Sequence, residues 1–492
     1  MIDEIAAIQN EYLLSKPETR RKELGQFFTG SIIADYMASM IQIQSSSSVR
    51  LLDAGAGAGI LTVAAALHCL SMGCKSVHAV LYDIDKETLP LLNNNMKKTV
   101  CEFVNAEATF TYEIRNEDFI LARPDKKDEK YHVASINPPY FKYNSKTSPY
   151  ANATDDLYKG NPNIYASFMA VVSGCLHQDG QMIAIVPRSF TNGLYFKGFR
   201  QYMNMKMSLE KIHIFRSRNK VFKELAVLQE HIICSYYKRE QSKNIQIFTS
   251  NGHADIDNSE IQTYLSRQII DFSNDHEFIR IPESLEDAEI LRRVESWTQR
   301  FSDSCYFIST GPVVEFRTRE FITGPENTED SVPLLRMHNV KSFKTEWTGL
   351  KKKDARFLLT ENHNKHTLPN SPYVILKRFS SKDEKRRLVA GVHDPKKVKG
   401  GRIAIENHLN YISCNDGSLS LTEAYGLALF FNSTLIDRYF RCISGNTQVN
   451  ATEIRMLKIP SVDILKLMGQ AYIKGCVETQ DDVDEVVEEY LQ

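Results

Sequence analysis

The sequence contains no apolar stretch that approaches the ~20 residues needed to span a bilayer. Its N-terminal segment, MIDEIAAIQNEYLLSKPETRRKELGQ, is rich in charge and lacks the apolar core of a signal peptide. These absences exclude a membrane-spanning or exported class. We expect a protein that works in the cytoplasm and contacts no membrane.

Paired cysteines and clustered histidines are also missing. The nine cysteines are scattered, none forms a Cys-x-x-Cys pair, and no group of histidines accompanies them. This pattern argues against a zinc site and against a disulfide framework. We therefore expect reduced, buried thiols and no bound metal.

The chain has no overall positive charge, since its formal net charge is −1. The charges are nevertheless uneven: residues 341–402 hold 17 Lys and Arg against six Asp and Glu, and residues 477–492 hold seven acids without Lys or Arg. A local basic block matters more for binding a polyanion than the global sum. Taken alone, the block is explained equally well as a solvated face.

Short apolar runs alternate with helical patterns over residues 49–240, which predicts an α/β fold with a doubly wound, parallel-rich, Rossmann-like sheet. The total of 492 residues suggests two or three domains. We predict a first domain over 1–245, a connector over 246–300, an α+β domain of short strands and loops over 301–460, and an acidic helical tail over 461–492.

A glycine-rich turn follows the first predicted strand in LLDAGAGAGI, residues 51–60. Gly55, Gly57 and Gly59 make a tight turn that lets the backbone approach a ligand closely, and Gly55, Ala56 and Gly57 are the candidate cofactor contacts. The chain has no Gly-Lys-Ser/Thr, so this turn is not a triphosphate loop. Asp53 would repel a phosphate but accept a hydrogen bond from an ammonium or hydroxyl group. The turn therefore suits a cofactor without a pyrophosphate, such as S-adenosylmethionine.

Two further acids follow the next two predicted strands. Asp83, with Ile84 beside it, ends the second strand, where an acid typically holds ribose hydroxyls. Asp118 follows the third strand and is expected to accept a bond from an adenine amino group, while Phe119 stacks on the ring. Asp85 is a nearby alternative to Asp83, although its position favours a helix N-cap. Taken singly, Asp118 is better explained as a cap and Phe119 as a core residue. Three acids at successive strand ends beside a glycine turn favour a cofactor site.

The segment INPPYF, residues 136–141, follows the fourth predicted strand. The side-chain oxygen of Asn137 is an acceptor, and the Pro138 carbonyl is a second, held extended by Pro139. Two rigid acceptors can take both hydrogens of a planar exocyclic amine and direct its lone pair at a methyl donor. Tyr140 is placed to stack on the ring that bears the amine.

These motifs resemble a known family. NPPY with DAGAGAG is similar to the amino-methyltransferases that use S-adenosylmethionine, and KELGQFFTGSIIADYMASMI resembles the N-terminal cofactor motif of the gamma class of DNA adenine-N6 methyltransferases. The resemblance implies that Thr29 contacts the methionine carboxylate and that Phe27 and Phe28 line the pocket. The segment NKVFKELAVLQEHIIC resembles the part of that class whose aromatic residue, here Phe222, packs against the flipped adenine.

The C-terminal part is similar to the specificity domain of type II modification methylases of the PstI/BsuBI and TaqI kinds, on GNTQVNATEIRMLKIP and NHLNYI. The resemblance implies double-stranded DNA as the partner and a separately encoded restriction endonuclease for the same site. Candidate DNA contacts lie in VILKRFSSKDEKRRL, where phosphates and base edges would be met by Lys377, Arg378, Lys385, Arg386 and Arg387.

Enzymes with the same NPPY site but other substrates are the alternatives. They include RNA guanine-N2 or adenine-N6 methyltransferases and protein glutamine-N5 methyltransferases. The GQFFT segment and the long basic region after the first domain favour the DNA class. Since only about 20 residues precede GQFFT, we expect no fused nuclease ahead of the methylase.

Overall fold

The computed structural model describes residues 1–15, 28–43, 48–127, 129–144, 146–160, 163–216, 230–273, 275–326, 330–359, 363–380, 382–415 and 419–491. The chain forms two compact units, Met1–Glu283 and Ser284–Gln492.

Within the described residues, the first unit is built on a nine-stranded sheet. Its strands are β1 (Ser48–Ala54), β2 (Ser76–Tyr82), β3 (Thr109–Arg115), β4 (Tyr131–Ile136), β5 (Leu176–Pro187), β6 (Ser208–Phe215), β7 (His231–Tyr237), β8 (Asn244–Ser250) and β9 (Glu260–Leu265). They lie in the order β3-β2-β1-β4-β5-β7-β6-β8-β9. Neighbours from β3 to β5 are all parallel, and β7 runs antiparallel to β5 and β6. The prediction of a parallel-rich α/β sheet is confirmed.

Helices of the first unit connect and cover these strands. They are α1 (Ile2–Ser15), α2 (Ser31–Ser39), α3 (Ile60–Ser71), α4 (Leu89–Asn105), α5 (Phe119–Ala122), α6 (Pro149–Thr154), α7 (Ile164–Cys175), α8 (Lys197–Lys206) and α9 (Ser266–Ile269). Most side chains of α3, ILTVAAALHCLS, are apolar, and most of the helix is accordingly buried. Ile5 of α1 and Met37 of α2 belong to the same apolar core as Val63 of α3. The first helix is therefore part of the core of the first unit.

The second unit combines small sheets with helices. Its elements in chain order are α10 (Leu285–Glu295), β10 (Tyr306–Thr310), β11 (Ile322–Thr323), β12 (Ser331–Leu335), β13 (Val340–Lys341), β14 (Lys344–Thr345), β15 (Ala355–Leu358), β16 (Thr367–Pro369), β17 (Tyr373–Lys377), β18 (Ala390–His393), β19 (Arg402–Ile405), β20 (Leu409–Cys414), α11 (Leu421–Asn432), α12 (Thr434–Ile443), α13 (Ala451–Met456), α14 (Val462–Ile473) and α15 (Gln480–Tyr490). Two larger sheets have the orders β10-β20-β17-β18 and β11-β15-β12-β19-β16.

The segment predicted as a connector, residues 246–300, is divided between the two units. Most of β8 lies in this segment, and β8 and β9 extend the large sheet, β8 in parallel with β6. Helix α10 belongs to the second unit, where Leu291 and Val294 enter its core. β8 and β9 are short, and short strands without an intervening helix carry little periodic signal, which explains why the sequence did not predict them.

In the part of the chain that the structure describes, no helix is both long and apolar enough to cross a membrane. The same residues contain no group of three or more His, Cys, Asp or Glu side chains that could hold a metal ion.

Candidate active site

The carboxyl ends of β1, β2 and β4 meet at one edge of the large sheet, because β1 pairs in parallel with both of the others. The strand order also reverses here, from β1-β2-β3 on one side to β4-β5 on the other. Ligands of open α/β sheets bind in the crevice at such a point. The segments after these three strands are therefore brought together at one place.

The glycine turn after β1 is held against the end of β2. The N–H groups of Gly55 and Ala56 both donate to the Tyr82 carbonyl at 2.9 Å, and the N–H of Gly57 donates to Asp83 Oδ2 at 2.7 Å. Gly57 has a φ of +52°, and a Cβ there would lie 2.7 Å from Cε1 of Phe28. Both the backbone conformation and the neighbouring ring therefore require glycine.

Asp83 connects this turn to the segment after β2. Its Oδ1 accepts the N–H of Asp85 at 2.8 Å, while Oδ2 accepts that of Gly57. Burial raises the pKa of the Asp83 carboxyl, and these two bonds oppose the rise. Because a carboxylate offers about four acceptor sites, Asp83 retains capacity for a ribose hydroxyl.

Asp118 follows β3 and caps α5. Its Oδ1 accepts two backbone N–H groups of that helix at 3.0 Å each, and its Oδ2 accepts the Tyr150 hydroxyl at 2.9 Å. The ring of Phe119 stacks on Phe168, with centroids 5.3 Å apart. The capping role that the sequence left open is thus present, and Asp118 also faces the cavity.

A cavity of about 250 Å³ opens at this edge of the sheet. Asp83, Glu117 and Asp118 supply carboxylates to its wall, and none of the described residues that line it is Lys or Arg. Such a wall disfavours phosphates and favours a cofactor with cationic and hydroxyl groups. The donor and acceptor set therefore fits S-adenosylmethionine, which carries a sulfonium, an ammonium and ribose hydroxyls.

Most of the predicted site residues that the structure describes line this cavity. They are Phe28, Thr29, Gly55, Ala56, Gly57, Asp83, Ile84, Asp118, Phe119, Asn137 and Pro139. Asp53, Pro138 and Tyr140 lie outside its lining. Phe27 and Phe222 fall outside the described residues.

Asp53 lies beneath the turn rather than at the cavity. It is 2% exposed, and its Oδ2 accepts the Thr62 hydroxyl at 2.7 Å, while Oδ1 has no hydrogen-bond partner among the described residues. Burial raises the pKa of Asp53 to about 7. The expected contact with a cofactor ammonium or hydroxyl group is not visible in this arrangement, and Asp53 instead ties the end of β1 to α3.

A hydrogen-bonded network surrounds Asn137. Its Nδ2 donates to Thr29 Oγ1 at 3.0 Å, and its Oδ1 accepts the Tyr140 hydroxyl. The same hydroxyl lies 2.9 Å from the Ile185 carbonyl of β5. The Tyr140 ring also lies against His231, with centroids 5.1 Å apart. Residues distant in sequence thus hold the amide and the ring in fixed positions.

Sequence reasoning missed several residues of the cavity wall. Gln9 of α1, Tyr150 of α6 and Phe168 of α7 all line it. Tyr150 is an aromatic residue ten positions after the NPPY motif, and that proximity is a usable signal, whereas Phe168 lies 28 positions after it. Gln9 lies in a region that resembles no motif, so only the fold reveals it.

The predicted DNA contacts of the second unit differ in exposure. Lys385 is exposed, whereas Lys377 is half-buried and burial lowers its pKa. Arg378 donates to the Asn407 carbonyl at 3.1 Å, and Arg386 donates to Thr434 Oγ1 at 3.1 Å. Lys385 is therefore the most accessible of this group.

Arg387 requires a correction. It is 1% exposed, donates to the carbonyls of Ser444 and Asn446 and to Ser380 Oγ, and lies over the Phe440 ring. A guanidinium bonded in this way supports the protein's own chain. The expected DNA contact is wrong for Arg387, because the sequence pattern does not show that the chain folds over it.

A lysine loop, Lys351–Lys353, is exposed in the same unit, and Lys351 Nζ also lies 3.5 Å from Glu346 Oε2. Buried Asp354 orders this loop by accepting the N–H groups of Gly349 at 3.0 Å and Lys351 at 3.3 Å. Three cations are thus presented to solvent from a fixed backbone.

Comparison with known proteins identifies close relatives. Residues 56–222 match the Eco57I restriction-modification methylase family. The chain is 34% identical to the type II methyltransferase M.PstI of Providencia stuartii, over 100% of this chain and 97% of that protein. It is also 34% identical to the type II methyltransferase M.BsuBI of Bacillus subtilis, over 96% and 94% of the two chains.

Solved structures show the same fold. The type IIL restriction-modification enzyme MmeI, in complex with DNA, matches with a TM-score of 0.58 and 11% identity over 100% of this chain and 74% of MmeI. The ATP-dependent type ISP enzyme LlaBIII, bound to DNA, matches with a TM-score of 0.51 and 14% identity over 92% and 39% of the two chains.

Replacing Gly57 by Ala should abolish tight cofactor binding. The added Cβ strains a backbone at φ +52° and displaces Phe28 from the cavity wall. The matched control is Gly73→Ala, where φ is +90° but nothing lies within 4 Å of the added Cβ. Calorimetric titration with S-adenosylmethionine should show lost binding in the first variant and near-normal binding in the second. Equal affinity in the two variants would contradict the role of the Phe28 contact.

Replacing Asp53 by Asn should change how stability depends on pH. In the folded chain Asp53 holds its proton up to about pH 7, whereas the unfolded carboxyl releases it near pH ~3.9. Wild-type stability therefore falls as pH rises through this window, by on the order of a few kcal/mol. Asn cannot ionise and still accepts from Thr62, so the variant should gain stability over wild type as pH rises from 4 to 7. Urea denaturation at several pH values, with exposed Asp257→Asn as control, measures the free energy of unfolding of each variant. A difference between Asp53→Asn and wild type that does not change with pH would refute the prediction.

Proposed function

We propose a specific reaction for this chain, which belongs to the type II DNA methyltransferases of restriction-modification systems: it methylates N6 of an adenine in duplex DNA. S-adenosylmethionine is the methyl donor and supplies an electrophilic methyl group. The observation that carries the proposal is the position of Asn137, which lines the cofactor cavity directly after β4 and precedes two prolines.

Asn137 Oδ1 and the Pro138 carbonyl are the acceptors assigned to the two hydrogens of the adenine amine. Pro138 has no N–H, and Pro139 keeps it extended. With both hydrogens held, the nitrogen lone pair points at the methyl group, and no base has to remove a proton first. As the new N–C bond forms, the bond from sulfur to methyl would break with its electron pair left on sulfur, and the cationic methylated amine would then lose one of its two hydrogens to water as a proton. Burial raises the pKa of the Tyr140 hydroxyl well above its ordinary value, so this group stays protonated and is not the base.

The Tyr140 hydroxyl prepares Asn137 for the amine. A hydroxyl has one proton, and here two acceptors are in reach, Asn137 Oδ1 and the Ile185 carbonyl. When the amine donates to Asn137, the Tyr140 O–H, which keeps its proton, turns to donate its hydrogen bond to the Ile185 carbonyl instead. Asn137 Oδ1 therefore has a donor before the adenine enters the site. It becomes available to the adenine amine without leaving the buried Tyr140 hydroxyl unpaired.

The target adenine reaches these acceptors by leaving the duplex, because a stacked base cannot enter a cavity at the strand ends. Tyr140 stacks on the extruded base, and its ring is supported by His231 and Tyr165. Phe222 remains the second aromatic partner implied by the resemblance to the gamma class. These assignments follow from the chemistry of the amine and the aromatic surroundings of Asn137.

The DNA backbone is bound through exposed cations of the second unit. The lysine loop Lys351–Lys353 and Lys385 are the groups that we assign to phosphates, because they are exposed and lie within the basic block. Partly buried Lys377, Arg378 and Arg386 support the same region. Phosphate contacts of this kind position a protein on DNA without reading sequence.

A separately encoded restriction endonuclease that cleaves the same unmethylated site is the partner that a type II system implies. The reaction would then take place in the cytoplasm, where both enzymes meet the cell's DNA.

Replacing Asn137 by Ala should lower methyl transfer by on the order of 10²–10³-fold, because one of two acceptors aimed at the amine is lost. Affinity for S-adenosylmethionine should be retained, and exposed Asn258→Ala should behave as wild type. Mass spectrometry of nucleosides from treated DNA should identify N6-methyladenine as the wild-type product. N4-methylcytosine alone, or methylated RNA or protein with DNA untouched, would overturn the proposal.

Replacing Lys351, Lys352 and Lys353 together by Ala should weaken DNA binding and reduce its salt dependence by about three counterions. The matched control removes the same charge from exposed Lys75, Lys97 and Lys127 of the first unit, of which Lys75 and Lys127 precede the amino ends of β2 and β4. Binding measured at several salt concentrations distinguishes the two triple variants. Identical salt slopes would place the lysine loop outside the interface.

A further inference from the structure

Gln9 lies on α1, in a part of the chain that matched no motif, yet it lines the cofactor cavity beside Thr29 and Asn137. It is 1% exposed, and its Nε2 donates to the Thr29 carbonyl at 2.5 Å. Its Oε1 has no hydrogen-bond partner among the described residues. A buried amide is thus placed at the wall of the site with only its donor side bonded.

Thr29 connects Gln9 to Asn137 by hydrogen bonds. Its carbonyl accepts from Gln9, and its hydroxyl accepts Asn137 Nδ2 at 3.0 Å. Thr29 is 4% exposed and lies outside any helix or strand, two residues before α2 begins. Because no ladder of backbone bonds holds this peptide, its position depends on the groups that bind it.

Helix α1 is itself fixed. Ile5 and Ala6 are buried in the core of the first unit, and the Tyr12 ring contacts Phe28, with centroids 6.4 Å apart. The Gln9 side chain, which donates to Thr29, is therefore attached to a helix that is packed into the core. A chain of two hydrogen bonds connects this helix to the amide that is to hold the target amine.

A space-filling role does not explain a glutamine here. An apolar side chain of similar length would fill the same volume without leaving a buried Oε1 unpaired, and unpaired buried acceptors are unfavourable. The feature that only glutamine supplies is the neutral N–H donor for the Thr29 carbonyl. A displacement of the acceptor by about 1 Å is enough to lower a rate by on the order of 10²-fold.

We propose that Gln9 is a positioning residue for methyl transfer: through Thr29 it holds the Asn137 amide in the orientation that receives the target amine. The inference rests on the proposed role of Asn137 and adds α1 to the machinery of the reaction. Gln9 touches neither the amine nor the methyl group and acts only through its bond to Thr29.

The first test compares Gln9→Met, which keeps the length but removes the donor, with wild type. Single-turnover methyl transfer with saturating cofactor and DNA should fall 10- to 100-fold. Saturating cofactor is used because Thr29 also lines the cofactor cavity, and the dissociation constant for DNA should stay within about threefold. A wild-type single-turnover rate accompanied only by a lower melting temperature would show that Gln9 is purely structural and would overturn the proposal.

The second test uses Gln9→Glu as a titratable donor. The protonated carboxyl can donate to the Thr29 carbonyl, whereas the ionised form cannot and repels it. The rate of this variant relative to wild type should therefore rise as pH is lowered from 8 towards 5.5, since burial raises the pKa of a carboxyl above ~4.3. The Gln9→Met to wild-type ratio should stay constant over the same range. A flat ratio for Gln9→Glu would contradict the assigned bond.

A double-mutant cycle separates this inference from the proposed function. If Gln9 acts through Asn137, adding Gln9→Met to Asn137→Ala should cause no further loss of rate. Independent, multiplicative losses would overturn the positioning role while leaving Asn137 in place. Failure of Asn137→Ala by itself to slow transfer would instead refute the proposed function.

Discussion

Parallel pairing of β1 with both β2 and β4 is the constraint on which the site depends. It places the glycine turn, Asp83 and Asn137 at one edge, although 54 positions separate Asp83 from Asn137 in the chain. The bond from Gly57 to Asp83 then fixes the turn, and the turn leaves the space that Phe28 fills. Each later contact, from Thr29 to Asn137 to Tyr140, is built on this edge.

The groups that hydrogen-bond with the Asn137 side-chain amide are buried and uncharged. Tyr140 keeps its proton because burial raises its pKa, and Thr29 offers neutral groups to both of its neighbours. Neutral donors and acceptors suit the proposed reaction, in which an amine attacks without prior deprotonation. The nearby carboxylates belong to the cofactor side of the cavity, where the groups to be bound are hydroxyl and cationic.

The sequence allowed prediction of the elements whose signal is local. The glycine turn, the acids at successive strand ends and Asn-Pro-Pro-Tyr carry their chemistry in a few adjacent residues, and the alternation of apolar runs indicates the parallel sheet. Arg387 and Asp53 could not be assigned in this way, because burial of a charged side chain depends on segments far away in the chain. Gln9 reaches the cavity only because α1 packs into a core formed by later helices. No pattern within the sequence of α1 predicts where that helix packs.

The wall of the cofactor cavity has a consequence for competition inside a cell. An adenine- and ribose-binding site would ordinarily be exposed to abundant adenosine phosphates, which share both of those parts with the methyl donor. Asp83, Glu117 and Asp118 face the cavity without a lysine or arginine among its described lining residues. Carboxylates close to a polyphosphate repel it, whereas they attract a sulfonium. The charge of the wall thus discriminates among metabolites that share the adenine and ribose of the methyl donor.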